Sequence, residues 1–157
     1  MPTDSVREHF ISTITAVLDE TFEQVQGIFL DKGTSLFETL GTITAAQASR
    51  PVGGRCASIA AQIDHVRYYL EVLQGYIKGQ PPTNVDWQAS WALEAVSEDE
   101  WAALKRRLEE TYRDMRAQLA AIERWDGEEE IGGAVAIAVH TAYHLGEIRQ
   151  ALCVIHS

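Results

Sequence analysis

His140 and His144 stand four positions apart in this chain, so on an α-helix both imidazoles leave the same face with Cβ atoms about 6 Å apart. Two imidazoles so placed can converge on one metal ion, which histidine nitrogen binds at about 2.0–2.1 Å. A third ligand from a facing helix would leave positions free for chemistry, and His65 is the candidate. By itself an HxxxH pair is a weak motif. Burial strengthens it: three imidazoles on core-facing stripes each need a polar partner, and one shared ion satisfies all three. His9 lies on the shoulder of the first helix and His156 is the penultimate residue, so both are expected to be solvated. Glu147 lies two turns beyond His140 on nearly the same helical bearing and could take a proton or hold a metal-bound water. Tyr68, Tyr69 and Tyr143 flank the histidines; Tyr69 and Tyr143 are candidate substrate contacts, with core packing as the alternative.

Apolar residues at Phe10, Ile14, Val17, Thr21, Val25 and Ile28 recur every three or four positions, which predicts a first helix from Asp4 to Phe29. Gly33 and the stretch up to Pro51-Val52-Gly53-Gly54 break the pattern, with one or two helical turns expected at 35–40 and 44–48. Ser58 is a candidate N-cap, and Ile59, Ile63, Val66, Leu70, Leu73 and Ile77 draw the stripe of a second helix to Gly79. His65 falls mid-way along it.

The connector from Gly79 to Val96 carries Pro81-Pro82, Trp87 and Trp91 and is longer than bundle loops usually are. Ser97-Glu98-Asp99-Glu100 reads as a capping box, after which a near-heptad stripe from Trp101 to Ile122 predicts a third helix up to about Trp125. A fourth helix follows from about Ile131 to Ile155, its start rich in glycine and alanine. The pattern predicts one all-α domain over residues 1–157: a four-helix bundle in up-down-down-up order, with a long crossover between the second and third helices.

Composition narrows the function. The net charge of −10 argues against nucleic acid, whose binding rests on Lys and Arg neutralising phosphates. The longest apolar run, Ile131 to Val139, is too short to span a bilayer, and no secretory signal is visible at the N-terminus, so a cytoplasmic protein is expected. Cys56 and Cys153 form no metal or redox motif and are expected to be reduced thiols packed in helices. A di-iron site would need Glu-x-x-His pairs, whereas Gln62, Ile137 and Thr141 precede the three histidines by three. A mononuclear site fits better.

Four stretches, Ser58 to His65, Val85-Asp86-Trp87, Ser97 to Trp101, and His140 to Ile148, make the chain resemble the DinB-like (YfiT-like) superfamily. The last of these carries His-x-x-x-His followed by Gly146-Glu147, where the family has a small residue and then Gln or Glu. The resemblance implies the same bundle, the metal triad His65, His140 and His144, and often a homodimer. It also implies a relation to transferases and isomerases that use low-molecular-weight thiols such as glutathione, mycothiol or bacillithiol. Three neutral ligands leave the ion its full charge, so one divalent transition metal, Zn or Ni, would acidify a thiol for transfer or a water for hydrolysis on a small molecule. The competing expectation is a non-catalytic binding or dimerisation module stabilised by the metal.

Overall fold

The computed structural model describes residues 2–156, with side chains from Ser5 onward, and among them there is no strand. Four long helices make up most of the chain: α1 (Pro2–Phe22), α4 (Ile59–Ile77), α5 (Glu98–Ala120) and α6 (Glu128–Ile155). Two short helices, α2 (Leu36–Leu40) and α3 (Ala45–Ala48), lie between α1 and α4, and a 3-10 turn at Ala89–Trp91 interrupts the connector between α4 and α5. No helix of the described residues is long and apolar enough to cross a membrane.

The expected stripes form the core. Ile59, Ile63, Val66 and Leu70 of α4 and Trp101, Leu104, Leu108 and Met115 of α5 are buried. Local signals start these helices where the residue types require. Ser58 Oγ accepts the Ala61 N–H at 3.1 Å, and Ser97 and Glu100 form the reciprocal capping box. Capping boxes at Ser35/Glu38 and Thr44/Gln47 likewise start α2 and α3. Indole Nε1 of Trp101 donates to Ile43 O at 2.8 Å, tying the α2–α3 segment to α5.

Contacts between the long helices link all four around one core. Gln74 of α4 donates to Thr111 O of α5, and Gln118 of α5 donates back to Gln74 O. Phe22 of α1 stacks on Tyr112 of α5 at 4.4 Å, beside an Arg116–Asp19 ion pair of 2.6 Å. Between α4 and α6, Gly133 lies directly against Ile77: a Cβ there would meet Ile77 Cγ1 at 2.7 Å. The glycine there has a packing reason: a side chain would force Ile77 to shift.

Helix boundaries depart from the periodic pattern in three places. Helix α1 stops at Phe22 rather than Phe29, and Ile28 and Phe29 are exposed. Beyond the helix end Gly27 takes φ +89°, a left-handed conformation that turns the chain around the Glu20 carboxylate. That carboxylate accepts backbone N–H groups from Gln26, Ile28, Phe29 and Leu30 at 2.6–2.8 Å. A buried anion with four donors outcompetes continuation of a marginal stripe. Helix α5 ends at Ala120, so Trp125 lies in a loop, where it packs edge-on against Phe10. Helix α6 begins earlier than Ile131, at Glu128, because Glu128, Glu129 and Glu130 favour the positive end of its dipole. Both cysteines are also exposed, Cys56 in a loop and Cys153 on α6, rather than packed in helices.

Burial raises the Glu20 pKa, but the four backbone donors outweigh it and hold it at about 2, below the ordinary 4.5. The depressed value makes this carboxylate stabilising above about pH 4.5, with the contribution lost as pH falls from there toward 2. Glu20→Gln should therefore lower Tm by several degrees at pH 7, and the gap to wild type should close as the melts are repeated toward pH 2. An unchanged Tm at pH 7 would mean that the loop holds its shape without the anion.

Candidate metal centre

His65 lies mid-way along α4, and His140 and His144 lie on the edge of α6 that faces it. One ring nitrogen from each lies within 4.8 Å of the other two. His65 Nε2 and His140 Nε2 are 3.2 Å apart. His9 and His156 are exposed and lie elsewhere, His9 against Ser5 and His156 against Gln47.

Hydrogen bonds on the far side of two rings decide which nitrogen carries the proton. The Ser90 hydroxyl spends its single hydrogen on Trp87 O at 2.7 Å, so its oxygen accepts from His65 Nδ1–H at 2.7 Å. The lone pair of His65 is thereby left on Nε2. His144 Nδ1 faces two acceptors, Glu147 Oε2 at 2.9 Å and Gln62 Oε1 at 3.4 Å, so it too carries the hydrogen and frees Nε2. His140 Nδ1 is buried without a partner, so nothing on that side fixes its tautomer.

Such lone pairs repel one another unless a proton or a cation lies between them. A tetrahedral ion with bonds of about 2.0–2.1 Å would space its ligands about 3.3 Å apart, close to the observed 3.2 Å. Burial also keeps the rings neutral. It pushes His65 down to about 4 and His140 to about 3, with neighbouring imidazoles adding to the effect. Burial lowers His144 as well, and Glu147 partly opposes it. Neutral imidazole is the form that ligates, so the donor set fits a divalent transition metal.

Aromatic stacking holds the rings in place. Tyr69 lies flat on His140, with centroids 3.6 Å apart and planes 7° apart, and Trp91 lies on His65 at 3.9 Å. Tyr143 touches His144 edge-on and is otherwise exposed. Its hydroxyl bonds to Glu147, which raises the tyrosine pKa.

The connector supplies parts of the site that the histidine spacing did not reveal. Asp86 Oδ1 accepts the Ala89 N–H at 2.9 Å, and the Tyr68 hydroxyl accepts the Asp86 N–H at 3.0 Å. These bonds shape the 3-10 turn that delivers Ser90 and Trp91 to His65. Gln62 was an available signal, since it stands one turn before His65 on the same face of α4. Ser90 had none, because no periodicity runs through the connector. Beside the histidines a cavity of about 670 Å³ opens, bounded by Gln62, Trp91 and Glu147 and by the loop before α4.

The family model of the DinB superfamily matches residues 30–148. No curated protein and no solved structure matches the chain significantly. The matched stretch covers well over half of the sequence, from the loop after α1 to the later turns of α6, and includes all three histidines; the chain belongs to the DinB superfamily.

Proposed function

We propose that the chain is a mononuclear metal-dependent enzyme that activates a small thiol for transfer, or a water for hydrolysis, with His65, His140 and His144 as the ligands. The observation that carries this reading is the pair of tautomers set by Ser90 and Glu147, which aim lone pairs at a common point. A divalent ion such as Zn or Ni, held by three neutral donors, supplies enough charge to acidify a thiol or water near neutral pH. Glu147 holds the His144 proton at Nδ1 and, only partly buried, is placed to accept one from an incoming nucleophile. Tyr69 braces His140 and Tyr143 stands at the exposed edge, both within reach of a bound small molecule. The adjoining cavity favours catalysis over a purely structural metal, which would need no access.

We also infer the up-down-down-up order. Gln62 lies by His144 and Ile77 by Gly133, which supports α4 and α6 running in opposite directions. Ser49 bonded to Val96 ahead of the two helices, and Gln74 bonded to Thr111 and Gln118 further along them, support α4 and α5 running in the same direction, with the long connector crossing between them. For quaternary structure the proposal is a homodimer. Ile131, Val135, Val139 and Tyr143 form an exposed stripe on α6, with no charged residue from 131 to 146. In a chain of net charge −10, two copies can meet there without opposing carboxylates.

Replacing His65, His140 or His144 singly by Ala should remove most of the bound metal, measured as metal per chain by elemental analysis of tag-free protein, while His9→Ala and His156→Ala leave it unchanged. Wild-type metal content in His65→Ala would take α4 out of the site. Glu147→Gln should keep the metal yet slow turnover at least about tenfold, assayed with glutathione and 1-chloro-2,4-dinitrobenzene for transfer and with a p-nitrophenyl ester for hydrolysis. Equal rates would make Glu147 a solvated helix carboxylate. In sedimentation at micromolar concentration, wild type should run as a dimer and Val139→Glu as a monomer; a monomeric wild type ends the pairing proposal.

A further inference from the structure

We propose that the cavity beside the histidines is a binding site for a small organic acid, whose anionic group meets Arg55 and whose apolar body lies along α6. The inference rests on the preceding reading at one point only, namely that the occupant is the substrate.

Its size suits a small molecule, since about 670 Å³ falls within the roughly 300–1,000 Å³ usual for ligand pockets. The wall is built from three separate parts of the chain: the loop before α4, the face of α4 with the 3-10 turn, and the last turns of α6. Val52, Trp91 and Ala151 give it an apolar lining, into which a few polar groups converge. That is the composition of a pocket that holds a hydrocarbon body and orients it by its ends.

Two of those polar groups are donors without partners. Of the chain's 13 basic side chains, Arg67, Arg113, Arg116 and Arg124 pair with carboxylates, and Arg55 is among those that do not. Arg55, on the cavity wall, makes no hydrogen bond or ion pair among the described residues. Gln62 is only 7% exposed. Its Oε1 faces His144 Nδ1, which leaves the amide NH2 group without an acceptor on a side chain that borders the cavity. That NH2 group is free to donate to an acceptor that a ligand or water brings into the cavity. A guanidinium and an amide together call for an acceptor-rich anion, and the fork of the guanidinium suits a carboxylate or sulfonate. Glu147, on the same wall, would repel a second negative group, so the anion is expected at one end of the ligand only.

The two cysteines permit a direct test. Cys56 lines this cavity, whereas Cys153 is exposed on α6 beside a different one, next to Phe29 and Arg149. The probe is 8-anilinonaphthalene-1-sulfonate, an aromatic anion with an apolar body, added to the protein as purified. Alkylation of each cysteine by iodoacetamide is followed by mass spectrometry, and binding by fluorescence. The probe should slow alkylation of Cys56 about tenfold or more at saturation and leave Cys153 unaffected. Arg55→Gln should weaken binding of the probe about tenfold, leaving the uncharged N-phenyl-1-naphthylamine and the metal content unchanged.

Fluorescence without protection of Cys56 would place the probe on another apolar surface and overturn the proposal. So would wild-type affinity in Arg55→Gln. The metal reading fails separately: wild-type protein without metal whose Cys56 is still protected would lose the metal centre and keep the organic-acid site. A normal metal content with no protection would do the reverse.

Discussion

His65 and His144 are buried with their Nε2 lone pairs turned toward His140, which requires a proton or a cation among the three rings, and much of the structure follows from that constraint. It requires α4 and α6 to face each other closely, and Gly133 against Ile77 provides the approach. Two of the three outer nitrogens are satisfied, by Ser90 for His65 and by Glu147 and Gln62 for His144, while His140 Nδ1 has no partner. The constraint also requires the rings to stay neutral, which burial achieves by lowering all three pKa values.

The connector between α4 and α5 gains its meaning from the same constraint. A long link would cost chain entropy to order if it only joined two helices. Here Asp86 shapes its turn, Trp87 supplies the carbonyl that takes the Ser90 hydrogen, and Trp91 covers His65. The Val85-Asp86-Trp87 stretch is therefore part of the site's support as well as of its sequence signature. The Glu20 carboxylate organises the loop after α1 in a comparable way: one anion satisfies backbone groups that would otherwise need a helix.

The site has a closed side and an open one. His65 and His144 are buried under aromatic and polar partners, while Glu147, Tyr143 and the cavity lie toward solvent. A metal that served only to hold helices together would gain nothing from a cavity of this size beside it. Arg55 and Gln62 border that space with donors that no group among the described residues takes up. The polarity of the cavity complements the histidines: the histidines suit a cation, and the wall beside them suits an anion.

Much of this was legible in the residues alone. The stripes of α4 and α5 mark faces that solvent excludes, and the Ser58 and Ser97 caps act within one turn, so both survive folding unchanged. The pair His140 and His144 was legible for the same reason, because helical geometry alone brings them together. His65 could be named because it lies on a core stripe, but its distance to His140 depends on how α4 packs on α6. Residues such as Ser90, Trp91 and Arg55 lie outside regular helix, where no period links position in the chain to direction in space. The end of α1 departs from the periodic pattern because periodicity registers apolar spacing and cannot register a carboxylate that gathers four backbone donors. What acts within a turn of helix was determined by the sequence itself; the partners of each ring, the cavity and the path of both long connectors were decided by tertiary packing, which joins residues that no local rule relates.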